Sequence, residues 1–219
     1  MKPAPRRIGR IIGLLRERYP QPRTALEFGN PLQILVATIL AAQCTDERVN
    51  RITPGLFRKY PTASAFASAD RTELEQEIRS AGFFRNKAKS IIGAARLIVN
   101  DFTGAVPDSM DALVTLPGVA RKTANIVLAA GYGKAEGIAV DTHAGRLSRR
   151  LGLSHHQDPV KVERDLLKLV PKDDWLDFNF LLVEHGRALC QARKPKCQDC
   201  FLRRLCPAAA ALISIGEPK

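Results

Sequence analysis

No apolar stretch in this sequence is long enough for a bilayer. The longest, Ile34 to Ala42, is broken by Thr38, whereas a membrane helix needs about 20 apolar residues. The opening Met1-Lys2-Pro3-Ala4-Pro5 passes straight into an amphipathic pattern, without the apolar segment or small-residue cleavage site of a secretory signal. A soluble, cytoplasmic, nucleoid-associated protein is the expectation. Cysteine is scarce outside one segment: of 5 residues, Cys44 stands alone and the others fall between positions 190 and 206. That distribution excludes a disulfide mini-scaffold and suits a metal centre in a reducing compartment. Alternating strand patterns, internal repeats and low-complexity tracts are missing too, so neither a β architecture nor a flexible tether between domains is expected.

Acidic residues are in deficit. The chain of 219 residues has 22 Asp and Glu against 34 Lys and Arg, a formal charge of +12, which suits a protein that approaches polyanions, nucleic acid first. The excess is local. Residues 1–23 carry Lys2, Arg6, Arg7, Arg10, Arg16, Arg18 and Arg23 against Glu17; residues 185–206 carry Arg187, Arg193, Lys194, Lys196, Arg203 and Arg204 against Asp199. If the two segments fold together they form one positive lobe; otherwise they are two separate solvated faces.

What is present is helical periodicity. Ile8, Ile11, Ile12 and Leu15 mark a first helix that stops before Pro20. Asn30 as N-cap and Pro31 at the first helical position open a second, apolar on all sides and hence central. Asp70 with Glu73 predicts a capping box, and Ala88, Ile91, Ile92, Ala95 and Ile98 another stripe. Helices are expected to start near Ser109, Ala120, Asp141 and Asp158-Pro159, with a last long one over Phe178, Leu181, Leu182, His185 and Leu189.

Three segments carry chemistry. Leu116-Pro117-Gly118-Val119-Ala120-Arg121-Lys122-Thr123-Ala124 predicts a tight turn between helices, Pro117 fixing one φ and Gly118 supplying a positive one. The following helix would present unsatisfied N–H groups at its positive dipole end, a seat for phosphate; an ordinary helix corner reads the same way. Asp141 before Thr142-His143 is by itself a helix N-cap, and Lys122 by itself a phosphate-binding or solvated lysine. Cys190, Cys197, Cys200 and Cys206 contain only one C-x2-C pair. Zinc sites usually pair two such knuckles, whereas a cubane cluster accepts four thiolates from one continuous loop.

Together these segments resemble the helix-hairpin-helix DNA glycosylases, and the cysteine spacing resembles the iron–sulfur signature of the endonuclease III family. Ala42-Gln43-Cys44-Thr45-Asp46, Ile138 to His143 and His185-Gly186-Arg187 extend the likeness over nearly the whole chain. The resemblance implies an all-α, two-lobed fold: a continuous helical domain over 22–132, a cluster domain from 1–21 plus 133–211, and a tail over 212–219. It implies a [4Fe-4S] cluster on Cys190, Cys197, Cys200 and Cys206. It implies a bifunctional DNA glycosylase and AP lyase that removes oxidised pyrimidines from damaged double-stranded DNA and nicks the strand by β-elimination, acting as a monomer.

The same resemblance makes Lys122 the nucleophile, expected to be partly buried in the first turn of its helix beside Arg121, and Asp141 the carboxylate that stabilises the sugar cation or assists proton movement from the lysine, at the mouth of a groove between the lobes. DNA contacts would come from Pro117, Gly118, Val119, Ala120, Arg121, His143 and the basic loop residues Arg193, Lys194 and Lys196. Gln43 would fill the gap left by a flipped nucleotide and Phe83 would wedge the opposite strand; the other reading of Phe83 is a core aromatic. Phe83 and Ala120 depart from the family pattern, where an aliphatic wedge and a second glycine are common. Cys44 reads as a small buried apolar residue. Rival readings are a related glycosylase for pyrimidine dimers or mismatched bases, and a non-catalytic iron–sulfur DNA-binding module.

Overall fold

The computed structural model describes residues 5–216. The helices are α1 (Pro5–Arg18), α2 (Pro31–Leu40), α3 (Asp46–Lys59), α4 (Ala63–Ala67), α5 (Arg71–Glu77), α6 (Phe84–Asp101), α7 (Met110–Leu113), α8 (Arg121–Tyr132), α9 (Thr142–Arg150), α10 (Pro159–Leu169), α11 (Trp175–Ala188) and α12 (Ala209–Gly216). No strand occurs among the described residues, and the fold is all-α. None of these helices is long and apolar enough to cross a membrane. Lys2 and residues 217–219 lie outside the described range.

Local chemistry sets the helix starts. The Asn30 side chain accepts the Gln33 N–H ahead of Pro31, Asp70 accepts Glu73 N–H, and Asp158 accepts Lys161 N–H ahead of Pro159. Each satisfies an N–H that the helix itself leaves open.

The chain divides into two compact units. One comprises residues up to Arg23 and from Gly137 on; the other is Thr24–Glu136. The sequence put these borders at 21/22 and 132/133. The second unit reaches further because Gly133, at φ 63°, caps α8 and Glu136 accepts the Met110 N–H. In that unit α2 is buried from Ile34 through Leu40. It lies close to α8 because Gly131 has no side chain there: a Cβ would sit 3.2 Å from the Ile34 Cγ2.

The first unit has its own core. Ile8, Ile11, Ile12 and Leu15 of α1 join Leu147 of α9, Val162 and Leu166 of α10, and Phe178, Leu181 and Leu182 of α11. Arg7 reaches from α1 to the Leu205 carbonyl, 2.7 Å from Nη2, and to that of Leu151. Both basic segments belong to this unit.

One element departs from expectation, and another was not foreseen. Residues 212–219 were expected as a tail, yet Leu212 to Gly216 continue α12, an apolar helix whose Ala209 is buried. Helix α3 runs through Pro54, because Thr45 caps its start and Val49, Thr53 and Leu56 are buried along one face.

Candidate functional site

The Leu116–Ala120 turn lies in the second unit. Gly118 has φ +79°, and a Cβ there would lie 2.7 Å from the Ser90 Cβ of α6, so the position excludes a side chain twice over. Gly93 serves the same packing: its own Cβ would meet Pro117 Cγ at 3.2 Å. Ala120 sits at φ −86° and ψ 167°, a conformation open to any L residue, so its departure from glycine strains nothing.

Helix α8 begins at Arg121 without a side-chain cap on its first N–H groups. Pro117, Gly118, Ala120, Arg121 and Lys122 are all exposed. Val119 is not: its side chain is in the core and its N–H donates to the Leu116 carbonyl at 3.1 Å. Val119 therefore shapes the turn instead of facing a ligand. Lys122, expected to be partly buried, is exposed, because the second position of α8 points out of the helical core.

Gln43 and Phe83 occupy two further loops of this unit. Both are exposed, and both are non-glycine residues in the left-handed region, at φ 54° and φ 47°. Phe83 is 64% exposed, which removes the core-aromatic reading. Cys44, expected to be buried, is only partly covered by the core.

In the first unit Asp141 caps α9, its Oδ1 accepting the Ala144 N–H at 2.7 Å. His143 lies in the first turn of α9, its Nδ1 3.1 Å from Arg146 Nη2, against Gly186, where a Cβ would come within 2.7 Å of the His143 Nδ1. Asp141 and His143 are thus built on one helix start.

The four late cysteines line one pocket, together with Leu147, Arg150, His185 and Leu202. No disulfide joins them. Among the described residues, no three His, Cys, Asp or Glu groups are arranged to hold a single metal ion. Arg150 Nη1 donates to Cys190 Sγ at 3.3 Å, and His185 Nε2 lies 3.5 Å from Cys200 Sγ.

Burial pushes up the thiols of Cys197, Cys200 and Cys206, and for Cys197 the nearby Arg150 partly offsets it. A cationic inorganic core would reverse that burial penalty. Four thiols around one pocket, with the Arg150 guanidinium donating to one sulfur and the His185 ring nitrogen beside another, fit a [4Fe-4S] group.

The loop from Gln191 to Lys196 is held from beneath. Arg150 donates to the carbonyls of Gln191 and Ala192 at 2.7 and 2.8 Å, and Arg146 Nη2 to that of Cys190 at 3.0 Å. Arg193, Lys194 and Lys196 remain exposed on top. Sequence reasoning missed Arg146 and Arg150; their i, i+4 spacing on α9 was the available signal. His185, placed by the sequence on the stripe of the last long helix, had no link to the cysteines foreseen for it; its burial between Tyr19 and Phe201 pushes its pKa down to about 4, so the ring is neutral.

Residues 36–172 match the family described as HhH-GPD superfamily base excision DNA repair protein. The fold and the hairpin are thus those of a base excision DNA repair protein. An endonuclease III of Synechocystis sp. is 56% identical over 201 residues, covering 92% of each chain. Two solved structures of endonuclease III with DNA, one a non-covalent complex and one a trapped covalent intermediate, superpose with a TM-score of 0.91 at 37% identity. They cover 97% and 96% of this chain and 99% of theirs. The chain belongs to the endonuclease III family.

Proposed function

We propose that this base excision repair DNA glycosylase and AP lyase acts on oxidised pyrimidines in duplex DNA, with Lys122 as its nucleophile. The observation that carries this reading is the position of Lys122: an exposed amine in the first turn of α8, directly after the Pro117-Gly118 turn. In its neutral form the Nζ lone pair forms a bond to C1′ of an extruded nucleotide while the glycosidic bond breaks, and the base leaves with a proton. Loss of a second Nζ proton and opening of the sugar give a Schiff base. The imine acidifies the C2′ proton; its removal breaks the C3′–O bond and releases the 3′ phosphate. Water then hydrolyses the imine and restores the amine. The covalent intermediate trapped between a relative and DNA supports this route.

Asp141 supplies the carboxylate. One oxygen is engaged by Ala144, leaving the other to stabilise the cationic sugar or move the lysine proton. The open α8 N–H groups take a backbone phosphate, with Arg121 beside them. Arg193, Lys194, Lys196 and His143 extend the contact to DNA, Gln43 fills the vacated stack, and Phe83 wedges the opposite strand. Cys190, Cys197, Cys200 and Cys206 would hold a [4Fe-4S] cluster, which when bound cross-links this loop and fixes its basic surface.

Borohydride reduction during reaction with a thymine-glycol duplex tests the reading. A covalent protein–DNA adduct is expected, and none with Lys122→Gln. Tight binding with no adduct in the native protein would leave only a DNA-binding module. Activity instead on pyrimidine dimers or mismatches would move the substrate.

A further inference from the structure

One buried cation of the second unit has no place in the chemistry above. Lys87 on α6 is only 5% exposed. Its Nζ donates to two backbone carbonyls, that of Leu40 at 2.8 Å and that of Ala81 at 2.9 Å. A buried ammonium usually has a carboxylate beside it; here carbonyl oxygens take that place. Burial pushes the Lys87 pKa below its ordinary value, and the nearby Cys44 thiol opposes that shift.

The two acceptors occupy telling positions. Leu40 is the last residue of α2, three residues before Gln43; Ala81 ends the 3-10 turn Arg79–Ala81, two residues before Phe83. Each loop then turns through a left-handed non-glycine residue, Gln43 itself and Phe83 itself. Such backbone persists only where the surroundings over-determine it. One side chain thus ties together the roots of the two loops that carry the exposed Gln43 and Phe83.

We infer that Lys87 is a positioning residue for strand opening: its two hydrogen bonds fix the separation of the Gln43 and Phe83 loops, so that filling one strand and wedging the other occur together. This rests on the proposed roles of Gln43 and Phe83. A conventional core lysine would stabilise the fold alone; a positioning lysine also couples Phe83 to extrusion of the damaged nucleotide. Its loss spares a step in which no nucleotide has to leave a duplex.

Lys87→Met keeps the stem and removes the donors. Schiff-base trapping is compared between a duplex abasic site and the same strand alone, and 2-aminopurine beside the lesion reports unstacking. The variant is expected to lose at least about tenfold in trapping rate on duplex and most of the fluorescence rise, with trapping on the single strand within about twofold of the native protein. In the Lys87→Met background, Phe83→Ala is expected to cost far less on duplex than in the native protein. Equal losses on both substrates, an unaltered duplex rate, or full additivity with Phe83→Ala would overturn the inference. If Lys87→Met does not accumulate folded, Lys87→Arg, which keeps donors but displaces them, must show the same split. A native protein that traps neither substrate would instead refute the lyase reading.

Discussion

Gly118 and Ser90 stand so close that a single methyl on the glycine would lie 2.7 Å from the serine Cβ. The hairpin is therefore pressed onto α6, and its positive φ of 79° adds a second constraint. Gly118→Ala is expected to destabilise the protein by about 1–3 kcal/mol. Urea denaturation checks this, and adding Ser90→Gly should recover only the steric part, because the backbone strain stays.

Asp141→Asn separates capping from chemistry. Asparagine caps a helix as well as aspartate does, so the Ala144 N–H keeps an acceptor and the melting temperature should hold. Base release and nicking should fall by about 10²–10⁴-fold, read from single-turnover assays on a lesion duplex. A parallel loss of stability and activity would reduce Asp141 to a cap.

Phe83→Ala removes an aromatic surface that is 64% exposed, so stability should scarcely change. Stacking on a base contributes about 1–3 kcal/mol, and single-turnover excision from paired duplex should slow accordingly, with a changed ranking among opposite bases. Excision rates measured against each of the four opposite bases decide it. An unaltered ranking would deny Phe83 a wedge role.

Lys59 holds Glu73 and Glu77, each with Nζ–Oε1 at 2.7 Å, and the pairing lowers the Glu73 pKa below its ordinary 4.5. A depressed carboxyl contributes stability above its unfolded pKa and loses it as pH falls through the folded value. The gap in urea midpoint between native protein and Glu73→Gln should be steady from pH 7 to about 5 and close below 4.5. A gap that widened in acid would reverse the sign of the coupling.

Helix starts were the most legible part of the fold. Asn30, Asp70 and Asp158 announce themselves because a side-chain oxygen, a following proline or a glutamate three residues on is local chemistry. The Leu116–Ala124 string and the cysteine spacing were legible for the same reason. Helix α3 was not, since Pro54 argues against it and only tertiary burial of Val49 and Leu56 overrides that. Burial of single side chains was least legible. Lys122 reads as half-covered and is exposed, Phe83 reads equally as core or surface and is exposed, and nothing in the sequence marks Lys87 as buried. In each case the answer depends on which residues lie across from the helix face, and that is not written nearby in the chain.

The first unit is closed by segments that lie on either side of residues 24–136 in the chain. Helix α1 emerges from the ribosome before residues 24–136 but finds its core partners on α9, α10 and α11 only after those residues have been made. During synthesis its apolar stripe of Ile8, Ile11, Ile12 and Leu15 stays without a home while the contiguous unit can already condense. A stalled or truncated translation product should thus hold one folded half and one adhesive leading helix, a natural handle for chaperones and proteases.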